Sequence, residues 1–129
     1  MRVRMSQSQA LERLVGSAWL RCAGVICMIA IAILSLMPGE SRPRTELPSP
    51  LEHFMAYCIS SAMITMGARS GRFPGTIVVA LVLYSGLMEA LQYWAPGRDP
   101  ALIGFVGSSF GASTGALLAY AARRWIGTV

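Results

Sequence analysis

Apolar residues fall into four long runs along the chain, with short polar or proline-rich stretches between them. The runs cover 18–37, 51–68, 73–94 and 101–122. Each is close to the roughly 20 residues that a helix needs to cross about 30 Å of hydrocarbon. The pattern therefore predicts an all-α fold, an integral membrane bundle of four transmembrane helices that occupies residues 17–125.

The polar stretches between the runs predict how the helices are connected. The stretch 38–50 contains four prolines and a glycine, which exclude a helix or a central strand there. Residues 69–72, Arg-Ser-Gly-Arg, predict a tight turn, so the second and third helices should pair as an antiparallel hairpin. The second run is the weakest, because Glu52 and His53 lie in its first turn. The helix dipole favours an acidic residue near a helix N-terminus, which gives Glu52 a structural explanation.

The composition agrees with a membrane protein rather than a soluble one. The chain has 129 residues, enough for one domain, of which 54% are apolar and 13% are charged. The charged share is about half of the roughly 25% that is typical of soluble domains. A net charge of +5 raises nucleic acid as a partner, but the arginines are scattered between apolar runs rather than clustered. We therefore expect no nucleic-acid partner.

The first 16 residues are polar and basic, and two interpretations of them stay open. The segment 1–16 forms either a short amphipathic helix on the cytoplasmic membrane surface or a frayed terminus. A signal peptide is the competing interpretation of the first apolar run. That run ends in MPGE, and no small-x-small cleavage site follows it. We therefore expect the first run to be a membrane span.

The arginines predict the orientation of the four helices. With four spans, the side that holds both termini and the 69–72 turn carries eight arginines, and the opposite side carries three. Positive charge is enriched on the cytoplasmic side of membrane proteins. Both termini should therefore be cytoplasmic, in a multi-pass protein of the bacterial inner membrane. The loops 38–50 and 95–100 then lie at the outer face.

Polar residues at that outer end form the candidate site. His53 and Tyr57 are four apart in the second run, so they share a helix face. Glu89 and Gln92 share a face of the third run, and Arg98 follows it. A carboxylate within a membrane span costs roughly 2.5–3.5 kcal/mol, so Glu89 needs a partner or a function. The five side chains together should bind the polar or anionic head group of a membrane lipid or lipid-linked glycan, with the guanidinium contacting phosphate or carboxylate.

Several of these residues also have a structural interpretation. Glu89 and Arg98 would form a buried ion pair that locks a helix end, and His53 would hydrogen-bond to Glu89. A single histidine does not make a zinc site, and the three cysteines lack metal-binding spacing. We therefore expect neither a metal nor another cofactor, and the sequence assigns no catalytic residue.

Glycines recur at four-residue spacing in the fourth run. Gly107, Gly111 and Gly115 form a small-xxx-small stripe, which lets helix backbones approach closely. Two uses of the stripe stay open: packing within the bundle, or association with a second copy or another membrane protein.

The polar motifs resemble those of the VanZ-like membrane proteins. That family has a histidine, an aromatic residue and Ala-Tyr, which SPLEHFMAY matches between His53 and Tyr57. Its next motif has a glutamate, a glutamine three residues later and Pro-Gly-Arg, which is similar to MEALQYWAPGR from Glu89 to Arg98. The resemblance covers about residues 30–118 and includes the later polar and glycine positions Ser108, Gly111 and Gly115.

Two positions depart from the family's pattern. The family's early aspartate-lysine pair is Ser49-Pro50 here, and its later aspartate is Gly104. If those carboxylates serve chemistry, this chain lacks part of the apparatus. The resemblance implies a small multi-span membrane protein, associated in some members with resistance to glycopeptide antibiotics such as teicoplanin.

Two functions of different classes follow. The first is a non-enzymatic membrane protein that binds an envelope lipid or glycan intermediate at the outer face and alters antibiotic access or envelope assembly. The second is an enzyme acting on a lipid-linked or phosphorylated substrate, with Glu89 as base and Arg98 holding phosphate. A nearby arginine keeps a carboxylate ionised and makes it a weaker base, which favours binding.

Overall fold

Four helices make up the computed structural model, which describes the backbone of residues 7–68 and 73–127 and the side chains of 17–68 and 73–126. They are α1 (Gln7–Leu36), α2 (Ser49–Gly67), α3 (Gly75–Gln92) and α4 (Leu102–Gly127). The predicted all-α class is confirmed. The predicted turn at 69–72 lies outside the described residues, and α1 begins inside the predicted N-terminal segment 1–16.

Three of the four helices are long and apolar enough to cross a membrane. They are Ser17–Leu36 within α1, Gly75–Gln92, and Leu102–Ile126 within α4. Many large apolar side chains on them point outward, for example Leu83 at 69% exposure and Phe110 at 66%. An outer surface of this kind is stable in lipid rather than in water, which indicates a membrane protein.

Helix α2 is the exception, because its buried face is polar. It is 19 residues long and buries Tyr57, Ser60, Ser61 and Thr65. Ser61 donates a 2.6 Å hydrogen bond to the carbonyl of Ala112 in α4. Hydroxyl groups that bond across helices are typical of helix contacts inside membranes, where no water competes for them. The polar face of α2 is thus used in contact with α4.

The glycine stripe packs within the bundle, against α2. A side-chain Cβ at Gly107 would lie 2.5 Å from the carbonyl oxygen of Pro50. A Cβ at Gly111 or Gly115 would likewise overlap a carbonyl of α2. Contact partners advance in the same direction along both helices, so α2 and α4 run parallel. The stripe is thus used inside the chain, and association with a second copy stays a prediction that needs another surface.

The neighbours of α2 differ from those predicted. We expected α2 and α3 to pair as a hairpin, but α2 packs mainly on α4 and then on α1, and it touches α3 little. Helix α3 packs mainly on α4, as Gly86 against Phe105 shows. The order around the bundle is therefore α1, α2, α4, α3. The glycines of α4 decide this order, because they let its backbone approach α2 more closely than bulkier residues allow.

Candidate functional site

The two longer loops meet at one end of the bundle. The N–H of Gly39 donates a 3.1 Å hydrogen bond to the carbonyl of Pro96. Gly97 has a φ of 69°, in the left-handed region that glycine adopts at little cost. A Cβ at Gly39 would overlap the carbonyl oxygen of Gly97. Both positions therefore need glycine, and together they hold the α1–α2 loop against the α3–α4 loop.

Arg98 in the α3–α4 loop holds the C-terminal end of α1. Its Nε donates a 3.0 Å hydrogen bond to the carbonyl of Met37, and its Nη2 donates to the carbonyl of Leu34. The last carbonyls of a helix lack partners within it, and a cation there also complements the helix dipole. Burial lowers the pKa of the Arg98 guanidinium, and the nearby charge of Arg42 lowers it further. An arginine remains protonated in proteins despite such shifts.

Glu89 interacts with the N-terminal end of α4. Its Oε1 accepts a 2.6 Å hydrogen bond from the N–H of Ala101, just before α4 begins. A carboxylate at a helix N-terminus satisfies a free N–H and complements the dipole. The predicted ion pair between Glu89 and Arg98 is not formed within the described residues. The reason is that each charge interacts with the end of a different helix.

Gly104 faces the carboxylate of Glu89. A Cβ built at Gly104 would lie 3.3 Å from Oε2 and 3.4 Å from Oε1 of that carboxylate. This is the position where the VanZ-like pattern has an aspartate. The glycine therefore leaves Glu89 without a neighbouring carboxylate on α4 and leaves space beside it.

His53 points toward α4. Its Nδ1 lies 3.2 Å from the Oγ of Ser108. The expected hydrogen bond from His53 to Glu89 is not made in the described part of the chain, because Ser108 of the adjacent helix α4 lies closer to the imidazole.

Tyr57 is buried in the bundle near α3. It is 2% exposed, and its ring centroid lies 6.4 Å from that of Tyr84. Tyr84 donates a 2.7 Å hydrogen bond to the carbonyl of Met28 in α1. Tyr57 therefore has a clear packing role in addition to its position beside a cavity.

An ion pair that the sequence analysis missed lies at the N-terminal end of α2. Arg42 and Glu52 are 2.6 Å apart, and the hydroxyl of Thr45 donates to the other oxygen of Glu52. The available signal was a lone acidic residue in a first helical turn, ten residues after a loop arginine. The helix dipole alone therefore does not account for Glu52.

Two adjoining cavities lie at this end. The first, here called the polar cavity, has a volume of about 370 Å³. Four of the five predicted residues line it: His53, Glu89, Gln92 and Arg98. The second, here called the apolar cavity, has a volume of about 350 Å³ and mainly apolar walls. Tyr57 lines only the apolar cavity, while His53, Gln92 and Arg98 line both.

Gln92 has no hydrogen-bond partner for its side-chain amide among the described residues, although it is only 5% exposed. It lies in the last turn of α3 and lines both cavities. An amide that faces a cavity in this way is suited to bind a polar ligand.

The site offers donors and acceptors but no metal cluster. Within the described residues, no group of three or more histidine, cysteine, aspartate or glutamate side chains is arranged to hold a metal ion. The amide of Gln92, the imidazole of His53 and the guanidinium of Arg98 can bond to oxygen atoms of a ligand, while Glu89 can accept from its N–H or O–H groups. This chemistry suits a head group with phosphate, hydroxyl or amine groups.

The helices and the site define an all-α membrane protein with a polar cavity at one end of its bundle. No known protein family, curated protein or solved structure matches this chain.

Proposed function

We propose that this protein is a VanZ-like, multi-pass protein of the bacterial inner membrane that binds the head group of an envelope lipid or lipid-linked glycan at the outer face. The observation that carries the proposal is the polar cavity, where the free amide of Gln92 lies beside Glu89, His53 and Arg98. All four side chains lie where the two extracytoplasmic loops meet. Binding there would alter envelope assembly or the access of a glycopeptide such as teicoplanin.

A fourth span formed by α2 is part of this proposal. At one end, α2 begins beside the loops that Gly39 and Pro96 join. At the other end, Arg21 of α1 donates to the carbonyl of Gly67, and Arg123 of α4 donates to that of Thr65. At 1.5 Å per residue, the 19 residues of α2 extend about 28 Å, close to the hydrocarbon thickness. These contacts support a helix that crosses alongside α1 and α4, with both termini cytoplasmic.

The geometry favours binding over catalysis. In the enzyme alternative, Glu89 is a base and Arg98 holds phosphate. However, Glu89 already accepts the Ala101 N–H, and Arg98 already donates to two carbonyls of α1. Glu52, the nearest other carboxylate on α2, is held by Arg42. Both catalytic candidates thus have structural roles, which lowers their freedom to move protons or follow a reacting group.

The test replaces the free amide. We expect Gln92→Leu to lower the affinity for the head group roughly tenfold or more, since one good polar contact is worth about 1.4 kcal/mol. Its stability should change little, because the amide makes no hydrogen bond among the described residues that the variant would lose. The measurement is calorimetric titration of the purified protein with glycerol phosphate and glycerophosphoethanolamine, with thermal unfolding in the same detergent.

Ser85→Ala is the matched control. Ser85 is also on α3, and its buried Oγ has no hydrogen-bond partner in the described part of the chain, but it lines neither cavity. It should keep full binding at similar stability. If wild type and Gln92→Leu bound equally well, or if neither bound, the proposal would be wrong. Release of phosphate or of an altered head group by wild type but not by Glu89→Gln would favour the enzyme instead.

A further inference from the structure

The two cavities adjoin and share part of their walls. Both are lined by the first turn of α2, the end of α3 and the loops that cover them. The polar cavity continues toward the beginning of α4, while the apolar cavity continues between α1 and α2. The residues that line both are Arg42, Thr45, Leu47, Glu52, His53, Gln92 and Arg98.

The apolar cavity opens on an exposed apolar side of the bundle. Leu34 of α1, Met55 of α2 and Leu47 of the connecting loop line it, with exposures of 42%, 45% and 45%. Side chains that are half exposed at a cavity mouth leave a lateral path from the surface of the bundle. A hydrocarbon chain that enters there would lie between α1 and α2 without crossing a polar barrier.

Charges along the polar cavity are ordered. Arg42 and Arg98 line both cavities, so they lie at the junction. Glu89 and Asp99 line the polar cavity alone, so they lie away from the apolar walls. Glu52 is also at the junction, where its carboxylate pairs with Arg42 and accepts from Thr45, so Arg98 supplies the net positive charge there. Arg44 also lines the polar cavity alone, so the order outward is hydrocarbon, then Arg98, then two carboxylates and one arginine.

We propose that the occupant is a zwitterionic phospholipid of the phosphoethanolamine class. One of its two acyl chains enters the apolar cavity, its phosphate lies beside Arg98, and its ammonium group faces Glu89 and Asp99. Such a lipid carries its phosphate between chain and amine, which matches the order of the three environments.

This inference rests on the head-group site proposed above and names the class of lipid. A phosphate ester or a glycan without a chain fills the polar cavity alone. An anionic lipid such as phosphatidylglycerol satisfies the arginines but leaves Glu89 and Asp99 facing hydroxyl groups rather than a cation. Each volume is near the lower limit of the roughly 300–1,000 Å³ of ligand pockets, so a ligand that uses both has a site of ordinary size.

The experiment measures lipid binding to the purified full chain in detergent by native mass spectrometry. The probes are dioleoyl phosphatidylethanolamine, dioleoyl phosphatidylglycerol, dioleoylglycerol and chain-free glycerophosphoethanolamine. We expect phosphatidylethanolamine to bind roughly tenfold or more tightly than each of the other three. Glu89→Gln should reduce its advantage over phosphatidylglycerol, because the amide keeps an acceptor for Ala101 but loses the charge that faces the ammonium group.

The apolar cavity is tested separately. Met55→Trp fills the cavity mouth with a side chain that is already half exposed, so it should weaken phosphatidylethanolamine roughly tenfold and leave glycerophosphoethanolamine unchanged. Ile59→Trp is the matched control, one turn further along the exposed side of α2 and outside both cavities. It should bind like wild type.

The outcomes separate this inference from the proposed function. Equal binding of glycerophosphoethanolamine and its lipid would overturn the inference and leave the head-group site in place. Tighter binding of phosphatidylglycerol than of phosphatidylethanolamine would overturn only the requirement for a zwitterionic head group. An equal loss of lipid in Met55→Trp and Ile59→Trp would overturn the role of the apolar cavity. Absence of binding by all four probes would overturn both proposals.

Discussion

Arg98 and Glu89 each satisfy the end of a helix other than their own. The guanidinium bonds to the last carbonyls of α1, and the carboxylate accepts the N–H that precedes α4. Both charges thereby gain partners where an unpaired charge is expensive. The same side chains line the polar cavity. Their substitution therefore affects stability as well as binding, and conservative variants are needed to separate the two.

We expect Arg98→Ala to lower the free energy of unfolding by about 1–3 kcal/mol, because it leaves the carbonyls of Leu34 and Met37 without donors. Arg98→Lys should recover part of the lost stability, since an ammonium group keeps the charge but lacks the planar, forked donors of arginine. The measurement is unfolding of the purified protein in mixed detergent.

Arg44→Ala is the control for this series. It removes an exposed arginine that lines the same cavity, and it should change stability by no more than about 0.5 kcal/mol. A similar loss in Arg44→Ala and Arg98→Ala would contradict the role of Arg98 at the end of α1.

At the scale of elements, the α2–α4 contact organises the bundle. Glycines on one face of α4 lie directly against carbonyls of α2, close enough for Cα–H···O contacts. This contact brings His53 of α2 to Ser108 of α4. The candidate site therefore depends on a helix pair whose closest approach is made by glycines.

Gly111→Ala should destabilise the protein by roughly 1–3 kcal/mol or more, because its Cβ would overlap the backbone carbonyl of Phe54. Gly86→Ala is the matched control within a helix. Its Cβ would lie 3.4 Å from the ring of Phe105, an ordinary contact, and alanine is intrinsically more favourable in a helix by up to about 1 kcal/mol. Thermal unfolding of both variants in one detergent gives the comparison, and equal behaviour would refute the close α2–α4 contact.

At the scale of the whole molecule, the two loops that form the site share one end of the bundle. Gly39 and Pro96 join them directly. In a membrane, this end lies on one side only. The arginine count predicts that this end lies outside, and the proposed four-span topology draws on the contacts of α2 at both of its ends.

Single cysteines test this topology in a background with Cys22, Cys27 and Cys58 replaced by alanine. Glu46→Cys and Asp99→Cys, one in each loop, should react with a membrane-impermeant maleimide in intact cells. Ile126→Cys, at the far end of α4, should react only after lysis. Labelling of Glu46→Cys and Asp99→Cys from opposite sides would show that only one of α2 and α3 crosses.

The sequence alone determined the helices and their class, because these depend on local properties. Run length and hydropathy predict helices that lipid can surround, and the prolines of 38–50 exclude a helix there. The same local reasoning selected His53, Glu89, Gln92 and Arg98, since polar residues within or beside membrane spans are costly and are often functional. All four line one cavity.

Only the tertiary structure decided what those residues contact. Arg98 bonds to a carbonyl 61 residues away, and His53 meets a serine 55 residues away. Such partners depend on which helices are neighbours. The predicted α2–α3 hairpin does not form the main contact of α2, which packs most closely on α4 instead. The order of the helices depends on how their whole surfaces fit together, and a local sequence pattern does not show this. The free amide of Gln92 is a result of that fit.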